Sequence, residues 1–187
     1  MSMAKKRILN IGCGLDFTGT DRIDIMKTPA TTRVYDLESG LPYENKTFNE
    51  IICYHVIGHI RNLKLFMDEC YRVLKDGGII ILKTSNAGYL PYHLGPSEKH
   101  DHNAEIKNRR EYIMQKIGKE RKEDHHYYLF QPSHLYWLFE RAGFKNIKTS
   151  YVQVQENKLK RFVLELLPKN MGRMVLEVRA FKKRKIK

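Results

Sequence analysis

The feature that most constrains the fold is the run at residues 8–16, which reads ILNIGCGLD. Apolar residues lead directly into a turn that contains Gly12 and Gly14, and Asp24 follows soon afterwards. In an α/β protein, glycines just after the first strand let backbone and ligand approach where a side chain would collide. An acidic residue at the end of the second strand can accept hydrogen bonds from ribose hydroxyls. The run therefore predicts an α/β sheet that binds a nucleoside-bearing cofactor.

A dinucleotide cofactor fits this run poorly. The dinucleotide fingerprint, G-x-G-x-x-G, needs a third glycine and an acidic residue about 20 residues further on. Thr18 and Gly19 miss the third-glycine position, and Asp24 arrives at about half of that distance. A smaller nucleoside-bearing cofactor is therefore favoured over NAD.

Further short motifs follow the glycine turn in a fixed order. They are YDLE at 35–38, LPY at 41–43, FN at 48–49, HVIGHI at 55–60, ECYRVLKDGG at 69–78 and AGF at 142–144. Together with the opening LNIGCG at 9–14, this series resembles the class I S-adenosylmethionine-dependent methyltransferases, especially compact members of the type 11-like family. The resemblance covers nearly the whole chain outside a middle insertion. It implies a Rossmann-like fold, S-adenosyl-L-methionine as the cofactor and methyl transfer as the activity.

The resemblance also implies roles for individual residues. Gly12 and Gly14 would shape the floor under the methionine part and the ribose, and Asp24 would hold the two ribose hydroxyls. Asp36 would accept a hydrogen bond from the adenine amino group, and the Leu37 N–H would face the adenine ring. The residues just after the fourth strand would line the sulfonium side. The complete implied cofactor set is Gly12, Cys13, Gly14, Asp24, Ile25, Asp36, Leu37, His55 and Val56.

Three positions depart from the family pattern. Asn10 replaces an acidic residue that often precedes the glycine turn, and Asn49 replaces a frequent aspartate. Gly58 replaces the frequent glutamate of the HVLEH-like element. None of the three is expected to touch the cofactor, so the cofactor prediction stands without them.

The predicted architecture is a Rossmann-like three-layer α/β sandwich. Its sheet is mostly parallel, with an antiparallel C-terminal hairpin. Because parallel strands normally need a dozen or more connecting residues, the first helix is expected to be shortened to a turn. Strands are predicted at 7–11, 22–25, 32–35, 50–54, 78–82, 147–154 and 174–181, and helices at 62–74, 132–144 and 159–167. The sequence KDGG at 75–78 is expected to end the first of these helices, with glycine in the left-handed position.

The domain prediction is a single methyltransferase domain over residues 1–187, with a variable lid or substrate insertion at about 86–128. The insertion begins with an aromatic loop rich in glycine and proline. It continues into a charged segment in which Ile106, Ile113 and Ile117 fall on one helical face. This pattern predicts an amphipathic helix or a lid over the site.

The chain is strongly basic, with a formal net charge of +13 over 187 residues. Part of the excess lies in the insertion and in the tail at 182–187, KKRKIK. A nucleic-acid partner that binds the basic lid and tail is one interpretation, and a highly charged solvated surface is the other.

The cysteine and hydropathy patterns bear on the compartment. Cys13, Cys53 and Cys70 each lie in an apolar segment at no ligand-like spacing, which predicts reduced, buried thiols in a cytoplasmic protein. Cys13 is expected to be a small residue beside the cofactor and not a nucleophile. No run of about 18 apolar residues is present, so no membrane span is expected.

Histidines supply the candidates for acid–base chemistry. His55 and His59, together with His125 and His126, are the candidates for a general base if the acceptor is a hydroxyl. A metal site built from His100-x-His102 and the pair at 125–126 is an alternative. We expect no metal, because the segment between the two pairs is long and no cysteine joins them.

The methyl acceptor is not specified by a motif. The chain lacks Asn-Pro-Pro-Tyr or Asp-Pro-Pro-Tyr after the fourth strand, which argues against amine methylation of DNA bases. The basic balance favours RNA or another anionic acceptor, and a small molecule is the competitor. The rival from another class is a non-catalytic nucleic-acid-binding module that retains the methyltransferase fold.

Overall fold

A computed structural model describes residues 6–90, 127–152, 162 and 164–184. The strands are β1 (Ile8–Ile11), β2 (Asp21–Asp24), β3 (Arg33–Val34), β4 (Phe48–Tyr54), β5 (Leu74–Ser85), β6 (Phe144–Val152) and β7 (Val175–Lys182). The helices are α1 (Leu63–Val73), α2 (Pro132–Arg141) and the single turn α3 (Lys169–Gly172), with 3₁₀ turns at Leu37–Ser39 and Ile57–His59.

The seven strands form one sheet in the order β3-β2-β1-β4-β5-β7-β6. The first five strands along the chain pair in parallel, whereas β7 runs antiparallel to both β5 and β6. This topology confirms the predicted Rossmann-like sheet with an antiparallel C-terminal hairpin. Residues 12–20, which connect β1 to β2, contain turns and bends and no helix, as the shortened first helix requires.

Helices α1 and α2 share one apolar core with one face of the sheet and form one of the expected helical layers. The cluster includes Phe66, Met67, Cys70 and Val73 from α1, Leu135 and Phe139 from α2, and Ile51, Cys53, Ile80, Leu82, Leu176 and Val178 from the strands. Alternate strand residues face the other way, and several of them are charged. Lys83 pairs there with Glu177 at 3.4 Å. Over β5 and β7 this second face therefore mixes charged residues with apolar ones such as Ile79 and Ile81.

The KDGG segment does not end α1, so that prediction was wrong. The helix ends at Val73, and its cap residue Leu74 is already extended, with φ of −71° and ψ of 140°. Leu74 then opens β5, whose register with β4 shifts between Phe48 and Glu50. Gly77, at φ of 78°, lies in this irregular start of the strand. Its left-handed conformation belongs to the irregular start of a strand and does not cap a helix.

Arg72 ties the end of α1 to the loop that precedes β4. Its guanidinium donates to Glu69 at 2.6 and 2.7 Å and to the carbonyl oxygens of Leu41 and Tyr43 at 3.0 and 2.7 Å. Glu69 in turn accepts from the Leu41 N–H at 2.8 Å. The hydrogen bonds from Arg72 are the main reason that the pKa of the Glu69 carboxyl lies below its usual value.

Glu69 is expected to make part of the stability of the fold dependent on pH. Because its pKa is lower in the folded protein, ionised Glu69 stabilises the fold above the unfolded pKa, and this contribution disappears as the pH falls through the folded pKa. Glu69→Gln should therefore lower the thermal midpoint near neutral pH, and the gap to wild type should narrow as the pH falls through the folded pKa of Glu69. A gap that stays constant with pH would contradict this role.

Four predicted features lie wholly or partly outside the described residues. They are the insertion between residues 91 and 126, the end of the strand predicted at 147–154, part of the helix predicted at 159–167, and the end of the tail at 185–187. No helix among the described residues is long and apolar enough to cross a membrane.

Candidate functional site

The predicted cofactor residues meet at the carboxyl edge of the parallel strands. Ile11, the last residue of β1, lies opposite Ile23 of β2 on one side and Cys53 of β4 on the other. Asp24 ends β2 and lies opposite Val34 of β3. The turn after β1 is thereby flanked by the ends of β2 and β4. Ligands of open α/β sheets bind at this edge.

Gly12 lies in direct contact with the segment that follows β4. Its φ is 66°, and its N–H donates to the carbonyl oxygen of Ile23 at 2.8 Å. A Cβ added here would lie 2.1 Å from Cγ2 of Val56, a separation that real Cβ atoms do not adopt. The structure therefore brings two of the predicted residues together, and only glycine permits the approach.

Asp24 holds the glycine turn through its side chain. Its carboxylate is almost fully buried and accepts from the Gly14 N–H at 2.9 Å through Oδ2. The other oxygen, Oδ1, accepts from the Met26 N–H at 2.9 Å. Ile25, which lies between Asp24 and Met26 in the sequence, is 49% exposed. The carboxylate of Asp24 thus fixes the backbone of the glycine turn and the backbone that follows β2.

Cys13 is buried beside the connection between β2 and β3. Its side chain is 5% exposed, and its sulfur lies 3.8 Å from Oγ1 of Thr31. Burial, the largest influence, raises the pKa of the Cys13 thiol. The thiol is therefore protonated at neutral pH, which supports the expectation that Cys13 is not a nucleophile.

Asn10 stabilises the loop that replaces the first helix, a role that sequence reasoning missed. The residue is buried, and its Nδ2 donates at 3.2 Å both to Oδ2 of Asp16 and to the carbonyl oxygen of Thr18. Oδ1 of Asp16 accepts from the Thr18 N–H at 2.8 Å. An aspartate at position 10 would place a second carboxylate against Asp16. The departure from the family pattern at Asn10 was the available signal.

Asp36 and Leu37 lie just beyond β3, one strand away from Asp24. Asp36 is exposed, and its Oδ1 accepts from the Glu38 N–H at 3.0 Å, which caps the 3₁₀ turn Leu37–Ser39. Leu37 is half-buried and packs against the core cluster. Glu38 accepts from the Arg61 N–H at 2.7 Å, so this turn is tied to the segment before α1.

His55 adopts a left-handed conformation immediately after β4, with φ of 59°. Its N–H donates to the Lys83 carbonyl oxygen at 2.8 Å, so the conformation is held by the neighbouring strand. Such a conformation is uncommon outside glycine and is concentrated at functional sites. His59, also half-buried, ends the 3₁₀ turn Ile57–His59 that follows.

An aromatic segment at 127–130 crosses from the end of β4 to the end of β5. The Tyr127 N–H donates to the Gly58 carbonyl oxygen at 2.8 Å, and the Tyr127 hydroxyl accepts from Nε of Arg61 at 2.8 Å. At the other end, the Ala87 N–H donates to the Phe130 carbonyl oxygen at 2.8 Å. The segment therefore lies along the same carboxyl edge of the sheet, on the side of β4 that is away from Asp24. The candidate bases His125 and His126, and the histidines of the alternative metal site, lie outside the described residues.

Asn86 fixes the end of β5, and no sequence pattern pointed to it. The side chain is 1% exposed, and its Nδ2 donates to the carbonyl oxygens of Asn170 and Arg173 at 2.8 and 2.7 Å. Its Oδ1 accepts from the Gly88 N–H at 3.0 Å. One amide thus joins the loop after β5 to the segment that leads into β7.

Comparison with known proteins places this arrangement among methyltransferases. Rat mitochondrial ubiquinone biosynthesis O-methyltransferase is 38% identical over 63 residues, which cover 34% of this chain and 18% of the rat protein. Ubiquinone biosynthesis O-methyltransferase of Pseudomonas putida strain W619 is 26% identical over 117 residues, half of each chain. This chain therefore spans half or less of the length of the curated relatives it matches.

A solved structure gives the same fold. Phosphoethanolamine N-methyltransferase 2 of Haemonchus contortus, in complex with S-adenosyl-L-methionine, superposes with a TM-score of 0.61 at 15% identity and covers 98% of this chain and 50% of the nematode chain. The family model described as a methyltransferase domain matches residues 3–149. That match spans well over half of the 187 residues, and the chain therefore belongs to the methyltransferase domain family.

Proposed function

We propose that this protein binds S-adenosyl-L-methionine at the edge formed by Gly12, Asp24 and Val56 and transfers its methyl group to an acceptor. The observation that carries the proposal is the close contact between Gly12, which has no side chain, and the Val56 side chain. The same glycine turn is bonded to the buried carboxylate of Asp24. Family membership and the S-adenosyl-L-methionine complex of the nematode neighbour support the choice of cofactor.

The carboxylate of Asp24 keeps unused hydrogen-bond acceptor positions for the ribose hydroxyls. A carboxylate offers about four lone-pair positions, and the Gly14 and Met26 N–H groups occupy one on each oxygen. The remaining lone pairs can accept from the two ribose hydroxyls. Asp36 and the Leu37 N–H would then face the adenine, and His55 would lie on the sulfonium side.

Methyl transfer from a sulfonium needs little acid–base assistance. The sulfur leaves as a neutral thioether, so the protein's main task is to align the nucleophile, the methyl group and the sulfur in a dry site. If the acceptor is a hydroxyl, the described candidates for a general base are His55 and His59. An amine acceptor would not need either histidine.

Calorimetry with S-adenosyl-L-methionine and with S-adenosylhomocysteine tests the cofactor assignment directly. We expect both to bind, because neither the carboxylate of Asp24 nor the glycine turn depends on the methyl group. Transfer of a labelled methyl group in an acceptor screen then tests catalysis. Binding without transfer to any acceptor would favour the non-catalytic module, and absence of binding by the folded protein would overturn the proposal.

The acceptor that we propose is a nucleic acid, and the basic strip on the C-terminal hairpin supports it. The strip comprises Lys145 and Lys148 of the edge strand β6 and Arg179 of β7, whose guanidinium also pairs with Glu177 at 2.7 Å. All three are exposed, and Lys148 lies opposite Arg179 in the antiparallel register. Phe181, 38% exposed, lies opposite Lys145. Cations interleaved with an aromatic ring suit phosphates and bases.

The structure moves this proposal away from the start of the tail. The basic run from Lys182 onwards is the part of the tail expected to neutralise phosphates, but Lys182 is 8% exposed. Its Nζ donates to the carbonyl oxygens of Tyr71 and Leu74 at 2.7 and 2.8 Å, where it satisfies the end of α1. Lys182 is therefore part of the fold, and the proposed contact surface does not include it.

Removing two charges from the strip is expected to weaken nucleic-acid binding. Among the described residues neither Lys145 nor Lys148 has an ion-pair partner, so both can displace counterions from phosphates. Lys145→Gln/Lys148→Gln should reduce the slope of log affinity against log salt concentration by about 1.4 for a single-stranded RNA. Fluorescence anisotropy with a labelled single-stranded RNA, over a series of salt concentrations, measures that slope.

The matched control removes two lysines that have carboxylate partners. Lys46 pairs with Asp76 at 2.7 Å and Lys64 with Asp68 at 2.5 Å, so Lys46→Gln/Lys64→Gln should leave the slope unchanged. If wild type does not bind RNA or DNA at low salt, the strip only protects an edge strand from pairing with other strands. The small-molecule acceptor would then be the favoured substrate.

The proposed compartment is the cytoplasm. The support is that Cys13, Cys53 and Cys70 are all free and buried, as reduced cysteines are in a reducing environment.

A further inference from the structure

The glycine turn of this protein lacks the support that a helix normally supplies. In Rossmann-like folds the turn after β1 runs into a helix whose backbone hydrogen bonds hold the turn rigid beneath the ligand. Here residues 12–20 contain no helix, and residues 25–32, which connect β2 to β3, contain none either. The turn must therefore be held by side chains.

Two buried threonines of the β2–β3 connection contact the turn. Thr28 and Thr31 are 3% and 5% exposed, and their hydroxyl oxygens lie 2.8 Å apart. Oγ1 of Thr28 donates to the carbonyl oxygen of Gly14, and Oγ1 of Thr31 lies 3.8 Å from the sulfur of Cys13. We call Thr28 and Thr31, with these contacts, the threonine brace.

The donor of one hydrogen bond in the brace is fixed. Because the Gly14 carbonyl can only accept, the one hydroxyl proton of Thr28 is used there. In the 2.8 Å contact between the two hydroxyls only Thr31 can then be the donor, and the Thr28 oxygen also accepts from the Thr31 N–H at 3.2 Å. The Thr31 hydroxyl has a second acceptor, the Met26 carbonyl oxygen at 3.1 Å. The brace is therefore bonded both to the glycine turn at Gly14 and to the backbone of the β2–β3 connection.

The brace completes the fixation of Gly14. Asp24 accepts from the Gly14 N–H at 2.9 Å, and Thr28 donates to the Gly14 carbonyl, so the peptide groups on both sides of Gly14 are held. We propose that Thr28 and Thr31 are positioning residues that pre-form the helix-free glycine turn for the cofactor. This inference rests on the proposed function, because the turn is the floor of the proposed S-adenosyl-L-methionine site.

Thr28→Val tests the inference, because valine keeps the shape of threonine and removes the hydroxyl. We expect the affinity for S-adenosyl-L-methionine to fall about tenfold, which is about 1.4 kcal/mol. Thr28→Ser restores the hydroxyl and should bind within about twofold of wild type. Calorimetry well below the unfolding midpoint of each variant gives the affinities. If Thr28→Val does not fold, Thr28→Ala also lacks the hydroxyl and introduces no second methyl group.

Thr47→Val is the matched control. Oγ1 of Thr47 donates to the Glu44 carbonyl oxygen at 2.8 Å in a turn before β4, away from the site. It should lower the thermal midpoint and leave the affinity unchanged. A purely structural brace would make Thr28→Val behave like Thr47→Val, and that result would overturn the inference. Failure of wild type to bind the cofactor would instead overturn the proposed function.

Discussion

Gly12→Ala is expected to weaken S-adenosyl-L-methionine binding by about a hundredfold or more, which is about 2.7 kcal/mol. The added Cβ would lie 2.1 Å from Cγ2 of Val56, and the φ of 66° is itself unfavourable for alanine. Either Val56 or the glycine turn must move, and both belong to the proposed site. The variant should also lose about 1–3 kcal/mol of stability from the steric clash. Calorimetry and thermal unfolding measure the two effects separately.

Gly143→Ala separates backbone strain from damage to the site. Gly143 has a φ of 93° beyond the end of α2, and its added Cβ would meet the Tyr71 ring at 3.3 Å. The Gly143→Ala variant should therefore lose stability and keep its cofactor affinity.

Adding Val56→Ala to Gly12→Ala should recover part of the binding, because it removes the colliding methyl groups. Equal affinity of Gly12→Ala and wild type would show that the cofactor does not use this turn.

The sequence was sufficient to predict the edge at which the site forms. Apolar runs and the glycine turn are local signals, and the order of strands in a parallel sheet then places Gly12, Asp24 and Asp36 at one edge. The absence of the first helix was predicted from the length of the connection between β1 and β2, because residues 12–20 are too few for a full crossover helix.

The side-chain bonds that hold the site were not predictable in the same way. Asn10, Thr28 and Asn86 donate to backbone carbonyl oxygens that lie 8, 14 and 84 residues away in the sequence. A buried hydroxyl or amide has no periodic signature that would identify such a partner. The prediction that the KDGG segment ends α1 was wrong for a related reason. Glycine at a positive φ suits both a helix end and an irregular strand, and only the register between β4 and β5 decides between them.

Asp24→Ala is the second substitution for which we expect a large loss. It removes the proposed acceptor of the ribose hydroxyls and also frees the Gly14 and Met26 N–H groups. Loss of a charge-assisted hydrogen bond alone corresponds to about 1.5–3 kcal/mol, more than tenfold in affinity. Asp21→Ala is the control, because Asp21 starts the same strand but pairs with Arg7 at 3.0 Å. It should leave the affinity unchanged.

A cycle with modified ligands distinguishes a direct ribose contact from support of the turn. S-adenosylhomocysteine and its 2′-deoxy analogue are each measured by calorimetry against wild type and Asp24→Ala. If Asp24 binds the ribose, removing the hydroxyl should cost wild type much more than the variant, because the variant has already lost the acceptor. Equal losses in both proteins would restrict Asp24 to holding Gly14 and Met26. Unchanged affinity in a folded Asp24→Ala protein would remove Asp24 from the site.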